Sequence, residues 1–252
     1  MQLSLETVLA FTPSAAEIEK RVQLMHRQVL DLSRHISQPD FQAIHTSDLK
    51  LLFDAYDRSF FAGQFQASLN GRPLAFRLSP RMTKAGGTTT SVRTRTGEVR
   101  FEIAIAISML FDAFRAEDRQ VTVCGIVCTN RLQALQRIFE HEMIHLAENL
   151  IWNGSDCAKP RFQQIASRHF LHSAHTHNLI TRRERAANTG IHVGTRVAFT
   201  FEGERLTGRV NRITKRATVL VEHSDGKPYS DRKRYKAYYV PLSWLEIVDQ
   251  NR

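Results

Sequence analysis

Cysteine is scarce in this 252-residue chain: Cys124, Cys128 and Cys157 are the only three. An odd number this small excludes a disulfide framework and fits a reducing compartment. Cys124 and Cys128, four apart in an apolar stretch, read as buried thiols rather than half of a metal site, because no second pair exists. Long apolar runs are missing too. The best, Ile103 to Phe111, is interrupted by Ser108 and falls short of the ~20 residues a membrane span needs. Met1-Gln2-Leu3-Ser4-Leu5-Glu6 has no cationic start, and no signal-length apolar stretch follows. The expected location is therefore the cytoplasm, with nucleoid association allowed. Acidic residues are in deficit: 25 Asp+Glu against 35 Lys+Arg leave a net charge of +10. Such a field attracts polyanions, so nucleic acid leads as a partner, against the plainer reading of charge kept for solubility. A content of 42% hydrophobic and 24% charged residues excludes disorder throughout. No internal repeat or long low-complexity segment is present.

What is present divides by texture. Ile18, Val22, Met25 and Val29 recur at helical spacing, predicting a helix over 14–36 with Ser14 as N-cap and Glu17 completing a capping box. A second helix is expected from Asp48 to about Phe61, capped by Thr46 or Ser47. Residues 74–78 and 99–107 alternate like strands, and Gly86-Gly87 before three threonines reads as a strand with a closely approached start. A long helix fits Asn130 to about Trp152, and Pro160 is placed to open another. Past Gly190, short apolar runs separated by glycines predict a small β-barrel of about five strands.

The long helix carries Phe139-Glu140-His141-Glu142-Met143-Ile144-His145. Two histidines four apart share a helix face about 6 Å apart along the axis. Both imidazoles can therefore bind one Zn2+, and the intervening Glu142 can reach a water that the metal activates. The expected chemistry is hydrolysis of a peptide bond through that water, with Glu142 as general base. Glu148 lies on the same face. It is a candidate support for the site, with the solvent-facing reading preferred.

From about Leu51 to Arg185 the sequence resembles the SprT-like zinc metalloproteases, the group that includes the Spartan proteases. Leu52-Phe53-Asp54-x-Tyr56 with Phe60-Phe61-x-Gly63 is similar to the family's opening helix. Phe76 to Gly87 is similar to its strand with an arginine, a methionine and a glycine. Ile103-x-Ile105-x-Ile107-Ser108 and the His141–His145 segment follow in the family's order. The resemblance implies a zincin-like domain and cleavage of proteins crosslinked to DNA. It also implies a third zinc ligand from a Gly-His pair shortly before a Phe. Here that place reads Ser155-Asp156-Cys157-Ala158-Lys159-Pro160-Arg161-Phe162, with no histidine. Among His169, His172, His175 and His177, His172 at the end of the following helix is preferred as third ligand. His177 and then Cys157 are the alternatives, and His169 is expected to face solvent. Unused histidines are candidate oxyanion donors.

Residues 190–252 hold 12 Lys+Arg against seven acids, half of the net charge in a quarter of the chain. Arg209, Arg212, Lys215 and Arg216 fall on or near one predicted hairpin. Arg232, Lys233, Arg234 and Lys236 interleave with Tyr229, Tyr235, Tyr238 and Tyr239. Cations for phosphates and rings for bases make this a candidate nucleic-acid-binding module. It looks like an SH3-like barrel, where family members often carry a zinc ribbon that three cysteines cannot build. The expected architecture is α+β: a helical extension over 1–44, a zincin-like metalloprotease domain over 45–188 with helices on a small sheet, and a basic all-β SH3-like barrel over 190–252. The expected function is a zinc endopeptidase acting on nucleic-acid-associated proteins. The alternatives are a non-catalytic zinc-containing nucleic-acid-binding protein, or a peptidase whose barrel binds protein.

Overall fold

A computed structural model describes residues 4–114, 120–180, 190–214 and 216–248. It is a mixed α+β structure that divides into two units, Met1–Leu179 and Ile180–Arg252. No described helix is long and apolar enough to cross a membrane.

In the first unit, local capping decides where helices begin. After α1 (Leu5–Ala10), α2 (Ala15–Leu32) starts behind Ser14, whose hydroxyl accepts from the Glu17 N–H. The Glu17 carboxylate turns to Arg21, 2.8 Å away, instead of closing the expected capping box. Helix α3 (Thr46–Phe61) does carry a capping box, but His45 makes it: its Nδ1 accepts from Ser47 N–H while Asp48 accepts the His45 N–H at 2.7 Å. Thr46 and Ser47 lie inside the helix. A short α4 (Gln64–Leu69) follows.

Strands β1 (Leu74–Leu78), β2 (Gly87–Arg93) and β3 (Val99–Ile105) form a sheet in the order β1-β3-β2. β1 runs parallel to β3, and β2 runs antiparallel to it, so β1 and β2 are the two edges. Then come α5 (Ile107–Ala113), the hairpin β4 (Val121–Val123) and β5 (Ile126–Cys128), the long α6 (Arg131–Trp152) and α7 (Pro160–Phe170). Cys124 and Cys128 are buried, as expected. Cys124-Gly125 forms the hairpin's two-residue turn with both φ positive, 53° and 79°, the backbone of a type I′ turn. A Cβ on Gly125 would collide with Ser173 and approach the Ala174 backbone. The hairpin is thus pressed against the segment that carries the later histidines. One apolar core joins these elements, from Leu9 and Val29 through Tyr56, Ile103 and Phe139 to Phe170.

The second unit contains β6 (Arg196–Phe201), β7 (Glu204–Ile213), β8 (Ala217–Pro228), β9 (Arg234–Val240) and β10 (Glu246–Ile247). All described pairings are antiparallel, in the order β10-β6-β7-β8-β9. The expected barrel is not closed among the described residues. The strand β10 is only two residues long and pairs with β6, so β9 and β10 remain separate edges. Val197, Phe199, Val210, Val219 and Val240 form the core on one face of this sheet.

Helix α6 is pinned from below by a buried carboxylate. Glu140 is fully buried; its oxygens accept from Tyr56 Oη at 2.6 Å, Arg137 Nη1 at 2.9 Å and His172 Nε2 at 3.0 Å. Burial alone pushes this carboxyl up, but Arg137, His172 and Tyr56 outweigh it and hold its pKa below the usual carboxylate range. Gln136 extends the network, donating to Tyr56 Oη and to the Val22 carbonyl. Removing one member of such a cluster strands the others without partners. Glu140→Ala is expected to lower stability by about 3–5 kcal/mol, read as a fall in the denaturant midpoint. Glu102→Ala, which breaks the exposed pair with Arg77, is expected to cost at most about 1 kcal/mol.

Candidate metal centre

The other side of α6 carries the histidine pair. Its frame is set by Asn130, which caps the first turn by accepting from Gln133 N–H, and by Asn153, which ends the helix in the left-handed conformation. His141 and His145 point their Nε2 atoms at one another, 3.1 Å apart. The chain then turns through Gly154 and Ser155 and brings in Cys157. One ligand atom from each of His141, His145 and Cys157 falls within 4.8 Å of the others.

The surroundings assign the protons. Ser155 Oγ donates its single hydrogen to Glu148 Oε2 at 2.5 Å, so it accepts from His145 Nδ1 at 2.6 Å. His145 therefore keeps its lone pair on Nε2. Cys124 Sγ donates to the Arg137 carbonyl at 3.8 Å and lies 3.7 Å from His141 Nδ1. Burial pushes the Cys124 thiol up, so it stays protonated and its sulfur faces the His141 Nδ1–H. Both Nε2 lone pairs are thus directed to the same place. Burial, helped by His145 and the other nearby imidazoles, pushes His141 down to about 3. Burial also lowers His145. Both rings are neutral donors at physiological pH, the form a metal needs.

Glu148, expected to face solvent, is buried and belongs to a chain that supports the pair. Its second oxygen accepts from Arg161 Nε at 2.6 Å, and the Arg161 guanidinium sits 4.1 Å over the Trp152 ring. Seven residues after His141 is two helical turns, which returns Glu148 to the histidine face.

Glu142 is buried beside the pair, with Thr89 Oγ1 donating to its Oε2 at 2.8 Å. Burial pushes its carboxyl up to about 8, partly countered by Thr89. It sits against the first residue of β2: a Cβ on Gly87 would lie 2.7 Å from Glu142 Oε1. Only glycine leaves room for this carboxylate. A cleft of about 700 Å³ opens above these groups, bordered by β2 from Gly87 to Ser91 and by His175 and His177. The Leu179 N–H donates to His177 Nδ1 at 3.3 Å.

The histidine expected as third ligand lies elsewhere. Leu171 ends α7 in the left-handed conformation, φ 58°, and the turn sends His172 into the core, where it is 4% exposed and bonded to Glu140. Among the described residues, it is Cys157 whose sulfur lies close enough to the pair to complete a three-atom cluster that could hold a metal ion. His169, expected to face solvent, is buried and donates from Nε2 to the Leu9 carbonyl. Thr89, Ser155 and Gly87 carry no motif, although the double glycine had marked a close approach.

The basic residues of the second unit separate by environment. Arg209 and Arg212 are exposed on β7, and Arg216 precedes β8 across the same hairpin, while Lys215 lies outside the described residues. Arg232 occupies a left-handed turn position, φ 65°. The rest of that run is engaged within the unit. Lys233 pairs with Glu222 at 2.7 Å, Arg234 Nε donates to the Gly226 carbonyl, and Lys236 Nζ lies 3.2 Å from His223 Nε2. Comparisons with protein-family models, with curated proteins and with solved structures returned no match.

A thiolate ligand gives bound Co2+ a charge-transfer absorption in the near ultraviolet. That band is expected in the Co2+-loaded protein and in His172→Ala, and is expected to vanish in Cys157→Ser. Titration with a chromophoric chelator should show Ser155→Ala weakening metal affinity about 10- to 100-fold, since it releases the His145 orientation.

Proposed function

We propose that this chain is a zinc-dependent endopeptidase related to the SprT-like proteases. Its zincin-like domain spans 45–188, its SH3-like basic module spans 190–252, and it acts on proteins associated with nucleic acid. The observation that carries the reading is a buried carboxylate, Glu142, seated in a cleft beside two neutral imidazoles and a thiol that converge on one point. His141 Nε2, His145 Nε2 and Cys157 Sγ would hold the ion. Nitrogen and sulfur donors suit zinc, and three of them leave a coordination position open.

Bound zinc supplies Lewis acidity toward a peptide carbonyl and a water molecule. The chain's own residues do the remaining work. Glu142, with its affinity for protons raised by burial, takes a proton from the attacking water and delivers it to the departing nitrogen. Thr89 holds the carboxylate in place while this happens. His177 offers Nε2–H to the oxygen on which negative charge develops. The outer edge of β2 has no described strand partner and runs along the cleft. An extended peptide can add there as a further strand, bringing its backbone to the site.

The order of motifs from Leu52 to His145 supports the family reading. The replacement of the usual histidine by Cys157 is the departure from it. Glu142→Gln is expected to keep zinc stoichiometry and to lower hydrolysis of an unstructured protein such as casein by about 10²–10⁴-fold. Unchanged turnover would remove Glu142 from the mechanism. A zinc-loaded wild type that cleaves neither casein nor DNA-bound protein would favour the non-catalytic, nucleic-acid-binding alternative. His177→Ala is expected to lower kcat by about 10²–10³-fold with little change in KM, measured in the same assay with zinc content checked.

A further inference from the structure

The two faces of the second unit's sheet differ in kind, and strand register shows how. Arg196 stands opposite Arg209, Arg209 opposite Leu220, and Leu220 opposite Ala237. One row further along, Arg212 stands opposite Thr218, and Thr218 opposite Tyr239. Directly paired residues project to the same face, and residues two apart on one strand share it. Arg196, Arg209, Arg212 and Tyr239 therefore occupy one face, while Val197, Val210, Val219 and Tyr238 fill the other.

The bulge at Asn211 produces this placement. Val210 and Arg212 would otherwise project alike; the extra residue leaves Val210 in the core and sends Arg212 outward. Tyr239, next to last in the edge strand β9, is 69% exposed, whereas its neighbour Tyr238 packs on Phe199 and Phe201. None of the described ion pairs or side-chain hydrogen bonds engages Arg196, Arg209 or Arg212. The two acids at the margins are already neutralised, Glu246 by Arg205 at 2.6 Å and Glu222 by Lys233 at 2.7 Å.

We propose that this face binds single-stranded nucleic acid, with Tyr239 stacking on a base and Arg196, Arg209 and Arg212 taking the phosphates beside it. The proposal rests on the reading of this unit as a nucleic-acid-binding module and names the surface and the strandedness. Neighbouring strands lie about 4.8 Å apart, and residues two apart on a strand roughly 7 Å apart. The three guanidinium groups and the ring thus span a patch fit for two or three nucleotides. An exposed ring flanked by cations favours a single strand, because a duplex keeps its base faces stacked on one another.

The test is fluorescence anisotropy of the full chain against labelled dT20, rU20 and a 20-base-pair duplex, over a range of salt. Binding to the single strands is expected to exceed binding to the duplex, and the dT20 and rU20 arms separate DNA from RNA. Tyr239→Ala is expected to weaken single-strand binding about 5- to 100-fold without changing the salt slope, and Tyr239→Phe to restore it. Arg209→Ala and Arg212→Ala are each expected to reduce the slope of log K against log salt by about 0.7. Circular dichroism and thermal melting should confirm that these exposed-site variants fold. Absence of binding to any nucleic acid at low salt would defeat the module reading and this proposal with it. Binding that the three variants leave unchanged would keep the module reading and overturn this surface. A preference for the duplex, or equal competition by polyglutamate against a neutral control, would overturn the single-strand assignment.

Discussion

A carboxylate cannot leave water without partners to replace it, and α6 takes three of them inside: Glu140, Glu142 and Glu148 are all at most 3% exposed. Each is satisfied by different neighbours, and those neighbours hold the rest of the first unit in register. Glu140 draws Tyr56 from α3 and His172 from beyond α7 onto the underside of the helix. Glu148 draws Ser155 and Arg161 across its end. Among the described residues Glu142 is bonded through its carboxylate to Thr89 of β2, and burial pushes its carboxyl up to about 8. The first two are bonded to several neighbours each and locate the helix. The third is left undercompensated, the condition in which a carboxylate exchanges a proton readily near neutral pH.

The histidine pair was legible because helical period alone projects positions 141 and 145 to one side. The same period placed Glu148 there, but its burial depends on partners outside α6, Ser155 from the turn that follows and Arg161 from the first turn of α7, which the helical period does not reveal. The preference for His172 failed on a single backbone angle. With Leu171 in the left-handed region the chain reverses into the core, and nothing in a leucine announces that conformation. Cys157 lay close to the place where the resemblance puts a ligand, but loop geometry decides which donor arrives. Short α1 and α4, six residues each, are below the length at which periodicity can be read. Capping by His45 rather than Thr46 or Ser47 shifts one helix start by two residues, the usual uncertainty at a helix end.

In the second unit the alternation of apolar residues carried the strands, while closure depended on lengths that alternation does not encode. Counting cations along the chain does not show which of them share a surface. Lys233, Arg234 and Lys236 look in sequence like the strongest basic run and are largely occupied by Glu222, Gly226 and His223. Arg196, which stands alone in sequence, gains Arg209 as its direct neighbour only through strand pairing. Charge that is contiguous along the chain and charge that is contiguous in space are different quantities here.

The spacing along α6 has a consequence for how chains of this kind can vary. Glu140, His141, Glu142, His145 and Glu148 are read off one continuous helix, at about 100° per residue. Inserting or deleting one residue between 142 and 145 would swing the downstream half by that angle, carrying His145 and Glu148 off the cleft while leaving every side chain chemically intact. Substitutions can be absorbed one at a time; a change of length cannot. Tolerance to insertion should therefore be concentrated in the Thr94–Gly97 turn, whose Gly97 has open space around it, and nearly absent across this stretch of nine residues.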